Sequence, residues 1–200
     1  MRIILLSLVV LAGLGLGGLG LAGARADDIP DHVLGKADAP ITIIEYASLT
    51  CPHCAEFNKE VLPEVKAKYI ETGKAKLIYR DFPLDQWALR ASLLARCAPA
   101  DKYFGFVDVL FQNQVTWATA KDPLAALERI GKLGGVSSEQ FNACMKDGAL
   151  QDAVIAQRLQ GQKEFDVEGT PTIIVNGKKI ENPHNFADLD KILKPLAPQS

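Results

Sequence analysis

Between Ile41 and Ala47 the chain reads Ile-Thr-Ile-Ile-Glu-Tyr-Ala, a β-branched apolar run of strand length. Its near-continuity predicts a strand buried on both faces. Apolar Phe57, Val61, Leu62, Val65 and Tyr69 then recur near helical spacing. Thr50 is the candidate N-cap of that helix, Pro52 falls in its first turn, and Pro63 is expected to kink or break it midway. Gly73 closes the stretch, and 75–82 reads as the next strand. From Asp85 to about Phe165 the period stays helical. Two amphipathic helices are expected at 87–98 and 102–115, and a third opens at Asp122-Pro123 and stops near Gly134-Gly135. Ser137 with Gln140 fits a capping box, and 149–165 is the last long helix of the block. The period then returns to two. Residues 172–175 and 178–180, joined by Asn176-Gly177, predict a hairpin with a type I′ turn, and a final helix follows from about Asn185 to Leu193. Residues 27–40 are polar, carry Pro30 and Pro40, and read as an extended lead-in.

Removing the helical block leaves a βαβ unit and a ββα unit, which together can form one central sheet flanked by helices. The expected organisation is therefore an α/β domain at 27–84 and 166–200, interrupted by a helical domain at 85–165. Ahead of it, Arg2, an uncharged run over 3–21 and the small-x-small sequence Ala24-Arg25-Ala26 describe a cleavable signal peptide at 1–26. A retained N-terminal membrane anchor is the alternative, which the five glycines between Gly13 and Gly20 weigh against. Either reading places the remainder outside the cytoplasm. The formal net charge is −2 with both signs interspersed, so nucleic-acid binding has no electrostatic footing.

All four cysteines, Cys51, Cys54, Cys97 and Cys144, lie in the exported part. Four cysteines allow three connectivities, and the two-residue spacing makes Cys51 with Cys54 the obvious local pair, which leaves Cys97 to Cys144. A Cys-x-x-Cys pair at a strand-to-helix junction has a physical use. The thiolate is the reactive species, and a cysteine at a helix N-terminus faces unpaired backbone N–H groups and the positive end of the dipole. Cys51 is thus the candidate nucleophile, His53 a candidate tuner of its thiolate, and Cys54, deeper by helix geometry, the resolving thiol. Glu45 is out of place in a buried strand, where a carboxylate needs a partner or a task. A zinc site on Cys51, His53 and Cys54 is the rival reading and would need a fourth ligand. Trp87, Trp117, Phe104, Phe106 and Phe111 are expected in the core of the helical block, and His32 and His184 at the solvated surface.

Cys51-Pro52-His53-Cys54, preceded by Glu45-Tyr46-Ala47-Ser48-Leu49-Thr50 and followed by Gly169-Thr170-Pro171-Thr172, resembles the bacterial disulfide oxidase family DsbA. The resemblance covers essentially 35–195 and implies a thioredoxin-like fold with an inserted α-helical domain. It implies that Cys51 is the nucleophile, Cys54 the resolving thiol and His53 the tuner. Thr170-Pro171 would be a cis-proline loop that, with Pro52, faces the substrate, and Glu45 a buried acid that moves a proton off Cys54. Thr before that proline resembles the disulfide isomerases and some oxidases. Cys97 and Cys144 are absent from many relatives, and a structural disulfide is expected there rather than a second redox centre. The family implies a periplasmic, monomeric oxidase acting on reduced exported polypeptides and reoxidised by a DsbB-like membrane quinone oxidoreductase, with no metal or organic cofactor of its own. A disulfide isomerase or reductase with the same site is the main alternative.

Overall fold

The apolar run does form a strand, β2 (Ile41–Ala47), buried on both sides except at the partly exposed Thr42. In the computed structural model, which describes residues 29–180, 183 and 185–198, it pairs with β3 (Ala75–Asp81) and β4 (Thr172–Val175). The segment read as a signal peptide and His184 lie outside the described residues. With β1 (His32–Leu34) and β5 (Lys178–Lys179) the sheet has the order β1-β3-β2-β4-β5. Only β2 and β3 are parallel, and that geometry requires a crossover rather than a tight turn. The β4–β5 hairpin turns through Asn176 (φ 47°) and Gly177 (φ 79°), the left-handed pair that a type I′ turn needs. The architecture is thioredoxin-like with a helical insertion.

β1 is a departure from expectation. The lead-in contributes a strand of three residues, antiparallel to β3 with Val33 opposite Ile78. Three residues are too few for an alternating pattern to register, and the pairing partner lies more than forty positions away.

The crossover is one helical run of mixed winding. Helix α1 (Pro52–Glu56) passes into a π turn (Phe57–Val61), then α2 (Leu62–Val65), then a second π turn (Lys66–Ile70). Pro63 does not break it. A proline has no N–H for the preceding turn and crowds the carbonyl behind it, and here it sits in the first turn of α2 with the wider π turn before it. Thr50 is not the N-cap either. Cys51 occupies that position with extended dihedrals (φ −81°, ψ 120°), and the Thr50 hydroxyl donates instead to Asp85 Oδ2 at 2.6 Å.

Between β3 and β4 lie α3 (Gln86–Cys97), α4 (Tyr103–Gln112), α5 (Gln114–Ala118), α6 (Pro123–Leu133), α7 (Ser138–Met145) and α8 (Gly148–Phe165). Asp85 caps α3 by accepting from the Trp87 and Ala88 N–H groups, Asp122 caps α6, and the Ser137–Gln140 box closes the start of α7. The helix expected over 102–115 is two, α4 and α5. They part at Asn113, whose amide donates back to the Val109 carbonyl at 2.9 Å and competes with the helical ladder. Helix α9 (Phe186–Leu193) ends the fold.

Side chains alternate across β2, and the two faces meet different layers. Ile41 and Ile43 join Phe57, Leu62, Tyr69, Leu189 and Leu193 in one cluster. Ile44 and Tyr46 face Phe82, Val167 and Phe165 on the other side. Helix α8 approaches there so closely that a Cβ at Gly161 would stand 2.5 Å from Tyr46 Cε1. A third cluster joins Ala47, Cys51, Cys54 and Tyr79 to Leu94, Phe106, Phe111, Trp117 and Phe141 of the helices, with Trp87 and Phe104 packed against it. Cys51 and Cys54 therefore share a core with the inserted helices.

Two cross-links tie that core together. Cys97 at the end of α3 is disulfide-bonded to Cys144 in α7. Beside it, Arg96 pairs with Asp81 of β3 at 2.5 Å, both 3% exposed or less, and Gln157 of α8 accepts from the Arg96 guanidinium and the Asp81 N–H. His32 is not at the solvated surface as the sequence suggests. Its ring stacks on buried Tyr103 with centroids 3.6 Å apart, and burial followed by the Arg96 charge lowers its pKa.

Candidate active site

The turn after β2 sets the geometry. The Cys51 N–H donates to the Ser48 carbonyl at 3.0 Å, and the Ser48 hydroxyl accepts from the Leu84 N–H at 3.3 Å. The chain then enters α1 with Pro52 in the first turn, its missing N–H harmless. Cys51 is the N-cap of α1, which places its side chain at the end of the helix where the first-turn N–H groups are free of helical partners.

The thiols of Cys51 and Cys54 are not joined in this structure, and both are buried, at 6% and 0% exposure. The Cys54 thiol hydrogen-bonds Cys51 Sγ, the largest influence on a Cys51 pKa held down to about 5. Burial opposes it, while Thr170 and the backbone N–H groups of Cys54 and His53 support it. The same contacts act in reverse on Cys54. Burial, donation to Cys51 and the nearby Glu45 carboxyl push its thiol far above the ordinary range.

Thr170-Pro171 is a cis peptide, and Cys51 Sγ lies 3.3 Å from the Thr170 carbonyl. The Thr170 hydroxyl is buried with no hydrogen-bond partner among the described residues, and Thr170 is among the influences that lower the Cys51 pKa. The His53 ring turns to solvent. The side chain is 80% exposed with Nδ1 3.5 Å from Glu56 Oε2, so what reaches Cys51 is the backbone N–H.

Glu45 is 1% exposed, opposite Tyr79 on β3 and Ile173 on β4, on the same face of β2 as Ala47. Burial raises its pKa to about 8, the charges of Asp108 and Cys51 add to the rise, and Lys66 opposes it. Asp108 of α4 is itself held by Lys66 at 3.1 Å and by the Asn58 amide at 3.1 Å. The structure thus gathers Glu45, Cys51, Pro52, His53, Cys54, Thr170 and Pro171 at one end of the sheet.

A groove of about 660 Å³ leads away from this end, with Thr170 and Pro171 at its head. Phe57, Val61 and Phe186 line it, and Glu56, Glu60 and Glu64, four apart along the helical run, form an acidic wall. Among the described residues no three His, Cys, Asp or Glu side chains have the arrangement of a metal site. No helix among them is long and apolar enough to cross a membrane.

Sequence reasoning did not single out Gln114, which donates from Nε2 to the Leu49 and Cys51 carbonyls, both at 2.9 Å. A signal was present. Tyr103, Phe106, Val107, Leu110, Phe111 and Trp117 mark the buried face of α4 and α5, and Gln114 falls on it.

A family model described as thioredoxin matches residues 27–195. A protein of Rickettsia bellii named as a protein-disulfide oxidoreductase is 37% identical over 156 residues, covering 78% of this chain and 60% of the relative. The chain thus spans about three-fifths of the length of that relative. Disulfide bond formation protein D of Bacillus subtilis is 28% identical over 180 residues, covering 82% and 74% of the two chains. Among solved structures, α-DsbA1 of Wolbachia pipientis superposes with a TM-score of 0.77 at 31% identity, covering 84% of this chain and 92% of that one.

Proposed function

The chain belongs to the thioredoxin family and is of the DsbA type within it, and from that premise we propose that it is a periplasmic thiol–disulfide oxidoreductase that donates a Cys51–Cys54 disulfide to reduced exported polypeptides. What carries this reading is the placement of the pair, with Cys51 as the N-cap of α1 and its Sγ 3.3 Å from the carbonyl of the cis Thr170-Pro171 loop, in surroundings that lower the Cys51 pKa to about 5 while burial drives Cys54 far up. A disulfide whose reduced form is so stabilised on one sulfur is a willing electron acceptor.

In the oxidised protein a substrate thiolate attacks Cys51 Sγ. A bond forms between substrate sulfur and Cys51, the Cys51–Cys54 bond breaks, and its electron pair leaves on Cys54. That thiolate is disfavoured where it is buried and takes a proton. Glu45, protonated at neutral pH with its pKa near 8, is the acid in place to supply one. A second substrate thiolate then attacks the substrate sulfur of the mixed disulfide, and Cys51 leaves as a stabilised thiolate. Two electrons have passed from the substrate to the pair. Returning it to the disulfide takes an external two-electron oxidant, and a DsbB-like membrane quinone oxidoreductase is the partner of the right chemistry. The sulfurs hold both electrons, so the cycle needs no resident metal or organic cofactor. The groove that begins at Thr170 and Pro171 gives an extended substrate chain a path past Cys51.

The test is the equilibrium of the mature chain with glutathione. A potential near about −120 mV places the pair with the strong oxidants, whereas one at or below about −200 mV favours the isomerase or reductase reading and sinks the donor reading. Cys54→Ser incubated with oxidised glutathione is expected to trap a mixed disulfide on Cys51, the Cys51 thiolate attacking the glutathione disulfide and one glutathione leaving as thiolate, and its failure to do so would contradict the assignment of Cys51 as nucleophile.

A further inference from the structure

We propose that Gln114, in the inserted helices, is a positioning residue that sets the redox poise of the Cys51–Cys54 pair by holding the carbonyl of Cys51 itself. The inference rests on the disulfide-exchange reading above. Gln114 is 6% exposed and begins α5 directly after the break at Asn113. Its amide nitrogen donates to the carbonyls of Leu49 and Cys51, each at 2.9 Å. Both acceptors are carbonyl oxygens, so the side-chain nitrogen, and not its oxygen, must face them.

The consequence follows from what surrounds the Cys51 carbonyl. That oxygen also accepts the first helical bond of α1, from the Ala55 N–H at 3.2 Å. A carbonyl carries partial negative charge, and this one is two bonds from the carbon that bears the thiolate arm. The amide of Gln114 offsets that charge, and the offset matters more when Sγ is anionic than when it is bonded to Cys54. The same two bonds fix the direction in which the turn 49–51 delivers Sγ to the N–H groups of His53 and Cys54. Gln114 is in turn kept in place by its own helix. Trp117, 1% exposed, donates from Nε1 to the Leu110 carbonyl at 2.8 Å and staples α5 to the end of α4. Through the Gln114 side chain the inserted helices therefore reach the backbone of Cys51, which gives them a part in tuning the pair besides covering it.

Gln114→Met keeps length and apolar bulk and removes both donors. Gln114→Glu puts a carboxylate against two carbonyls. The expected result is a shift of the glutathione equilibrium toward the disulfide of about three- to tenfold for Gln114→Met, with a larger shift for Gln114→Glu, and a Cys51 titration moved upward in both. Tenfold corresponds to about 30 mV. A variant that loses thermal stability yet keeps the equilibrium constant and the Cys51 titration of the unsubstituted protein overturns the proposal, because a merely structural residue behaves that way. If neither variant folds, the side-chain amide resonance of Gln114 in the unsubstituted protein decides. It is expected to move between the oxidised and reduced forms, and an unchanged resonance overturns the proposal. Failure of the underlying function reads differently, since the unsubstituted protein would then exchange no disulfide at all.

Discussion

Between about pH 5 and 8 the contributions of Glu45 and Cys51 to the stability of the reduced protein should nearly cancel, hiding two large opposing effects. Glu45 is raised from 4.5 to about 8, chiefly by burial. Through that window the folded state keeps a proton that the unfolded chain has released, so stability is full below the unfolded pKa and falls as pH rises toward 8. At 1.36 kcal/mol per unit, about three units remove about 4 kcal/mol. Cys51 is lowered from 9.0 to about 5, chiefly by the hydrogen bond from Cys54. There the folded state has released a proton that the unfolded chain still holds, so stability is full above the unfolded pKa and is lost as pH falls toward 5. The same three units contribute about 4 kcal/mol in the opposite direction. Urea unfolding of reduced protein at four or five pH values, for the unsubstituted chain, Glu45→Gln and Cys51→Ser, separates the two. Glu45→Gln should gain stability by about 4 kcal/mol as pH rises across the window, and Cys51→Ser should lose about as much. Other titrating groups are common to all three proteins and cancel in the differences. Three parallel profiles would refute the reasoning. The oxidised protein supplies an internal check. With no Cys51 thiolate to titrate, its stability should fall with pH, and Glu45→Gln should level it.

Other consequences are direct. Thr170→Val removes the hydroxyl that can donate to the Cys51 thiolate, so the Cys51 pKa should rise by about one unit in a thiolate-absorbance titration. An unmoved titration would discard that role. Replacing Cys97 and Cys144 by alanine opens a span of 47 residues. It should cost about 4 kcal/mol in urea without moving the glutathione equilibrium, and a loss under about 1 kcal/mol would show that the disulfide does not constrain the unfolded chain. Asp81→Asn strands the buried Arg96 charge and should cost about 3–5 kcal/mol, while a further Arg96→Met should recover most of it. A double variant no more stable than the single would count against that account.

What was legible in the sequence was local. The β2 run, the helical spacing after it, the Asp122 and Ser137 caps and the Asn176-Gly177 turn each declare themselves within a few residues, because strand burial, capping and turn geometry act over that distance. The placement of Cys51 and Cys54 was legible for the same reason, since the strand end, the start of the helix and the two-residue spacing are contiguous. Glu45 stood out as a charge in an apolar strand. What stayed hidden depends on partners far along the chain. β1 exists only because β3 lies beside it, and His32 is stacked only because Tyr103 arrives from α4. The Asp81–Arg96–Gln157 network joins three separate elements.

Where local rules failed, a tertiary contact had taken over the group concerned. Thr50 has the chemistry of an N-cap, but its hydroxyl is taken by Asp85, 35 residues on, and Asp85 is itself the cap of α3. The helix start thereby passes to Cys51. Had Thr50 capped α1, the side-chain acceptor at the helix start would have been an oxygen, and the free N–H groups of the first turn would have been spent on it. Left uncapped by Thr50, they are available to the Cys51 sulfur. The misread cap thus bears on the thiol, beside the larger influence of the Cys54 hydrogen bond. The bond between Thr50 and Asp85 leaves the helix N-terminus to Cys51, so the surroundings of that sulfur are shaped in part by a residue at the start of the inserted helices.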